Sequence, residues 1–164
     1  MSTVGLFEEF IDCVAEACRS VYGQRLVSLV VFGSVGRGRA RPDSDLDLLL
    51  IAQDLPPGRM KRVSEFDRVE RALAPALKRA KQAGLTTYLS PILKTPAEAE
   101  RGSPLFLDMV EDARLVIDQD GFFAGVLGRL KEKMRKLGSR RVWRGTRWYW
   151  VLKPDLKPGE VVEL

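Results

Sequence analysis

Two strand-sized apolar runs, Leu26–Phe32 and Asp45–Ala52, bracket a turn rich in Gly and Arg (GSVGRGRARPDS), and this arrangement constrains the chain more than any other feature. Leu26–Phe32 is dense in β-branched residues and reads as a buried strand. Asp45–Ala52 alternates acid and Leu before becoming wholly apolar, so it reads as a second strand entering from solvent. Gly33–Pro42 reads as a turn that leads into a short helix. The surroundings are helical. Residues 5–22 place Leu6, Phe10, Val14 and Ala17 on one stripe, and Arg59–Ala83 is a long amphipathic pattern in which Pro75 predicts a kink or an interruption. Thr86–Leu93 reads as a third strand bent near Pro91, Leu105–Glu111 as a helix, Arg114–Ile117 as a short strand, and Phe122–Leu137 as a helix stopping at Gly138. Strands alternating with helices predict an α/β (α+β) fold, a short mixed sheet with helices packed on it. We divide the chain into residues 1–120, carrying the sheet, and residues 121–164, a C-terminal basic helix and an aromatic, extended tail.

Composition excludes several chemistries. The chain has 164 residues and no histidine, so Ser-His and Cys-His nucleophile arrangements are absent. Its two cysteines, Cys13 and Cys18, lie about 140° apart around a helix, which argues against a disulfide between them and leaves zinc almost without ligands. No apolar run approaches the ~20 residues of a membrane helix and no signal peptide is visible, so we expect a soluble, cytoplasmic protein without membrane contact. The net charge is +5 and Arg outnumbers Lys by 18 to 9, a balance compatible with phosphorylated ligands or nucleic acid. Asparagine is missing altogether, which hints at a thermophilic source.

Chemistry is concentrated in residues 30–50, VVFGSVGRGRARPDSDLDLLL. A buried strand ends at Phe32 and Gly33-Ser34 follows at once, where Gly lets backbone approach a ligand and the Ser hydroxyl and nearby N–H groups can bind phosphate oxygens. Ten residues separate Ser34 from Asp45, and Asp47 follows two residues later, so both carboxylates face one side of a strand. Like charges so placed repel unless a cation lies between them, and oxygen ligands of this kind suit Mg²⁺ bridging to nucleotide phosphates. Taken singly, an Asp-x-Asp before a strand is a solvated edge and a Gly-Ser is a turn. Their occurrence together, in this order and spacing, is what points to a site.

Gly33-Ser34-Val35-Gly36-Arg37-Gly38 with Ser44-Asp45-Leu46-Asp47-Leu48 resembles the signature of the DNA polymerase β-type nucleotidyltransferase superfamily, specifically its minimal nucleotidyltransferases. The resemblance implies a nucleoside triphosphate substrate, of which ATP is the first choice, and divalent metals, Mg²⁺ or Mn²⁺, held by Asp45 and Asp47. It implies that Gly33 and Ser34 bind the β- and γ-phosphates, with Arg37 and Ser44 completing the nucleotide-binding set. Arg37 has a second reading, packing over the loop or pairing with Asp43. An acceptor hydroxyl would displace pyrophosphate from the α-phosphate. Active members carry a third carboxylate on a later strand. Here no Asp or Glu occurs between Glu70 and Glu98, which leaves Glu98 or Glu100 to reach in from the following segment.

The tail adds nine Lys or Arg between residues 129 and 147 against the single acid Glu132, followed by Trp148-Tyr149-Trp150. Cations mixed with aromatics suit single-stranded RNA. The same residues also read as a strand on which Trp143, Trp148 and Trp150 alternate and cover the domain. Three functions follow: a Mg²⁺-dependent nucleotidyltransferase; a catalytically weakened nucleotide-binding module, antitoxin-like, with a HEPN-type protein partner or a second copy of itself; and an RNA-binding scaffold.

Overall fold

The computed structural model describes residues Met1–Leu164. Helix α1 (Thr3–Tyr22) begins where Ser2 accepts a hydrogen bond from the Gly5 N–H at 3.2 Å. A short 3₁₀ turn leads to β1 (Leu26–Phe32), the four-residue helix α2 (Gly33–Gly36), β2 (Leu46–Ala52) and α3 (Arg59–Gln82). Then follow β3 (Leu89–Lys94), α4 (Pro96–Glu100), α5 (Phe106–Asp112), β4 (Arg114–Asp118), α6 (Phe122–Leu137), β5 (Arg140–Arg144) and β6 (Arg147–Val151). No helix is long and apolar enough to cross a membrane.

The sheet has the order β3-β2-β1-β4. Strand β1 runs antiparallel to both β2 and β4, whereas β2 and β3 are parallel and joined through the long crossover of α3. Strand β2 is apolar on both faces and explains the two cores. Leu46, Leu48, Leu50 and Ala52 pack with α1 and α3, while Leu49 and Ile51 pack with Phe106, Met109, Phe123 and Val126 of α5 and α6. Phe106 and Phe123 meet edge to face at 5.1 Å. Each such buried ring contributes about 1.5–3 kcal/mol relative to exposure. The mixed α/β architecture expected from the alternation of elements is the one found.

Local differences from the sequence reading have physical causes. Helix α3 runs uninterrupted through Pro75. Pro75 is exposed, as is Arg71 four residues earlier, so the carbonyl that loses its N–H partner lies on the solvent side of the helix. Strand β3 begins at Leu89 rather than Thr86, and the approach is tied to β2 only by the Leu46 N–H donating to the Tyr88 carbonyl at 2.9 Å. The tail holds two strands: Trp143 and Trp148 face each other across an antiparallel hairpin that turns at Gly145 and Thr146. Helix α6 is launched by Asp118, whose carboxylate accepts from the N–H groups of Phe123 and Ala124, both at 2.9 Å, and from the Ser28 hydroxyl at 2.7 Å. Cys13 and Cys18 are both free, and burial pushes the Cys18 thiol up to about 12.

Candidate functional site

Along β2 the row Leu49–Ile51 faces α5 and α6, and period-two alternation carries that row back through Asp47 to Asp45. The carboxylates therefore continue a core face past the point where helices cover it. In the antiparallel pairing Phe32 lies opposite Asp47, so the chain that leaves β1 passes directly beside that carboxylate. The first residue out is Gly33, with φ +66°; a Cβ there would overlap Asp47 Oδ2 and stand 3.0 Å from Asp47 Cγ. Gly33 is thus required both by its backbone conformation and by the closeness of the acid. Gly36 is also tightly packed, since a Cβ would stand 2.7 Å from the Asp112 carbonyl oxygen.

On the other side of β2, parallel β3 sets Ser90 opposite Asp47, and one step earlier brings Tyr88 alongside Asp45. Ser90, and no carboxylate, stands beside Asp47 on β3, and no group of three or more metal-ligating acids, cysteines or histidines exists in the chain. Glu98 does not reach in. Both its oxygens accept from Arg62, at 2.7 and 2.9 Å, and it closes a capping box with Thr95 at the start of α4. Arg62 holds its carboxyl well down, at about 2. Ser90 also lines a cavity of about 730 Å³ between α3 and β3, which brings an open groove up to the neighbour of Asp47.

Burial and then the charge of Asp45 raise the Asp47 carboxyl above its ordinary value, while the Ser90 hydroxyl and the more distant Arg37 charge act the other way. The neighbouring Asp45 carboxylate raises the Tyr88 hydroxyl above its ordinary value. A half-buried pair of acids on one strand face, flanked by two hydroxyls and a close-lying backbone turn, is an all-oxygen donor set. It fits a hard divalent cation of the Mg²⁺ kind, which binds through one or two carboxylates plus ligand phosphates.

The remaining nucleotide-binding candidates lie around the turn. Ser34 is the second residue of α2, half-buried beside Gly33. The Ser44 hydroxyl accepts from the Arg41 N–H at 2.9 Å and so shapes the turn that delivers Asp45. Arg37 pairs with Asp112 at 3.7 Å and lies over the Trp148 ring at 4.8 Å; it is Arg41 that pairs with Asp43, at 3.4 Å. The C-terminal hairpin therefore comes down on the turn itself. Two acids of α5 secure it: Asp108 accepts from the indole N–H groups of Trp148 and Trp150 at 2.7 and 2.8 Å, and Asp112 accepts from Arg141 at 2.7 and 3.3 Å. Sequence reasoning missed Tyr88 and these α5 acids, none of which belongs to a motif.

A family model described as a nucleotidyltransferase domain matches residues 11–116. A Methanocaldococcus jannaschii protein, provisionally assigned as a protein adenylyltransferase, is 30% identical over 134 residues, covering 80% of this chain and 86% of its own. Among solved structures, a toxin–antitoxin with AMP-PNP is similar at 15% identity and a TM-score of 0.44, over 77% of this chain and 91% of that one. A complex of a tri-AMPylated Shewanella oneidensis HEPN toxin with an MNT antitoxin is similar at 13% identity and a TM-score of 0.44, over 80% and 92%.

Proposed function

Because the chain belongs to the nucleotidyltransferase family, we propose that it transfers an adenylyl group from ATP to a protein hydroxyl. The observation that carries this reading is the Gly33 turn lying against Asp47, with Asp45 on the same strand face. ATP as donor and a protein as acceptor are supported by the assignment of the M. jannaschii relative.

In this reading the backbone after Gly33 and the Ser34 hydroxyl hold the β- and γ-phosphates, Arg37 adds a positive charge at their edge, and Ser44 keeps the turn in shape. Asp45 and Asp47 would hold Mg²⁺ or Mn²⁺, which would offset phosphate charge and ease loss of the acceptor proton. The acceptor oxygen bonds to the α-phosphorus, the bond to pyrophosphate breaks, and the acceptor proton passes to water. Positioning and charge neutralisation carry the reaction, without a covalent enzyme intermediate. We place the protein in the cytoplasm, where ATP is supplied, and take a HEPN-type protein as the first acceptor to test.

Ser90 favours a second reading. With a hydroxyl in place of a third acid, cation affinity falls, and the chain acts as a nucleotide-binding module with little or no transfer. ATP labelled at the α-phosphate separates the two. Label on the acceptor together with pyrophosphate release, both lost in Asp45→Ala/Asp47→Ala, supports the enzyme; Mg²⁺-dependent binding without label supports the module. A wild type that binds no triphosphate would sink both readings.

A further inference from the structure

Tyr88 is a large aromatic side chain that is 63% exposed, immediately before the edge strand of the sheet. Nothing in the fold requires it there: the neighbouring Leu85 and Leu89 are buried in the core and anchor this segment on their own. Its backbone is fixed, however, by the carbonyl bonded to the Leu46 N–H, between the two candidate carboxylates. The parallel register then sets its side chain on the same face as Ser90, beside Asp45 as Ser90 is beside Asp47. Asp45 is thus its neighbour across the strands, and that carboxylate raises the phenol above its ordinary value.

We propose that Tyr88 is an acceptor built into the chain, and that the protein adenylylates its own Tyr88 hydroxyl. The inference rests on the adenylyl-transfer reading above. An acceptor must present a free hydroxyl beside the carboxylates that would hold the metal, and the strand register keeps Tyr88 next to Asp45 with no partner to be docked. Ser90 is the other hydroxyl on this face, but it is only partly exposed and its side chain is short. The step balances: Tyr88 Oη bonds to the α-phosphorus of ATP, the α–β phosphoanhydride bond breaks, pyrophosphate leaves, and the phenolic proton passes to water. The product carries a nucleotide covalently at the mouth of its own site, so modification switches the site off.

The purified full-length chain, incubated with ATP and Mg²⁺, is followed by intact mass and peptide mapping. We expect one adenylyl group per chain at Tyr88, gained at a rate independent of protein concentration and absent in Tyr88→Phe and in Asp45→Ala/Asp47→Ala. A second readout needs no turnover. Tyr88 is open to nitration in the free chain and becomes protected by α,β-methylene ATP with Mg²⁺, an analogue that cannot release pyrophosphate. Label on another residue, pyrophosphate release from an unlabelled chain, or no protection of Tyr88 by the bound analogue would overturn the inference and leave the transferase reading standing. Absence of triphosphate binding and of pyrophosphate release would overturn both together.

Discussion

Gly33 and Gly38 form a matched pair that tests the site geometry. Their φ angles are +66° and +69°, so alanine at either one meets the same backbone penalty of about 1–2 kcal/mol. They differ in what surrounds them. Nothing stands within 4 Å of a Cβ at Gly38, whereas a Cβ at Gly33 overlaps the Asp47 carboxylate and lies 3.3 Å from Asp47 Cβ. Gly33→Ala must therefore drive Asp47 out of its place as well, an overpacking cost of about 1–3 kcal/mol on top of the shared strain. We expect urea denaturation to show Gly38→Ala destabilised by about 1–2 kcal/mol and Gly33→Ala by about 2–5 kcal/mol. Calorimetry should show that Gly33→Ala loses Mg²⁺-dependent ATP binding while Gly38→Ala retains it. Equal stability losses and equal ATP affinities in the two variants would refute the argument that the turn is pressed against a binding carboxylate.

Three further outcomes follow from other contacts. Ser90→Asp sets a third carboxylate opposite Asp47 and should tighten divalent-cation dependence of ATP binding by about tenfold or more, read as a lower Mg²⁺ midpoint. Asp108→Ala leaves two indole N–H groups without their acceptor, so the hairpin should loosen at a cost of about 1–3 kcal/mol, with a red shift of tryptophan emission. Glu98 has a folded value of about 2, below its ordinary 4.5, so its ion pair with Arg62 stabilises the fold above about pH 4.5 and that stability is lost as pH falls toward 2. With the Glu98 side chain 30% exposed, solvent screening reduces the effect to about 1–2 kcal/mol. Urea midpoints of wild type and Glu98→Gln should accordingly differ at pH 7 and converge as the pH approaches 2.5.

Strands β1 and β2 and the turn between them were legible because their signal is local: apolar runs set element type, and two-residue alternation alone puts Asp45 and Asp47 on one face. The five-residue helix α4 left a usable signal in Thr95-Pro96-Ala97-Glu98, a capping-box spacing that was passed over. The role of Arg37 was not legible. Asp43 is six residues away and Asp112 seventy-five, and only the packing of α5 against Gly36 decides between them. The same holds for the tail, where composition showed cations and indoles but not the acids forty residues earlier that hold them. Tyr88 was invisible for another reason: an exposed tyrosine has no pattern of its own, and its neighbourhood exists only once the parallel register is set.

Strand β2 has one consequence for how this protein can change. Its even-numbered residues, Leu46 to Ala52, are bound into one core, while its odd-numbered residues begin as carboxylates and end as the other core. A slip of a single residue would carry both acids into the core beneath α1 and α3 and swap the side chains of the two cores at once. The alignment of Asp45 and Asp47 is thereby guarded by the whole stability of the sheet. Loss of cation-dependent ATP binding in a variant remote from the site would report that this strand has shifted, well before spectroscopy registered any unfolding.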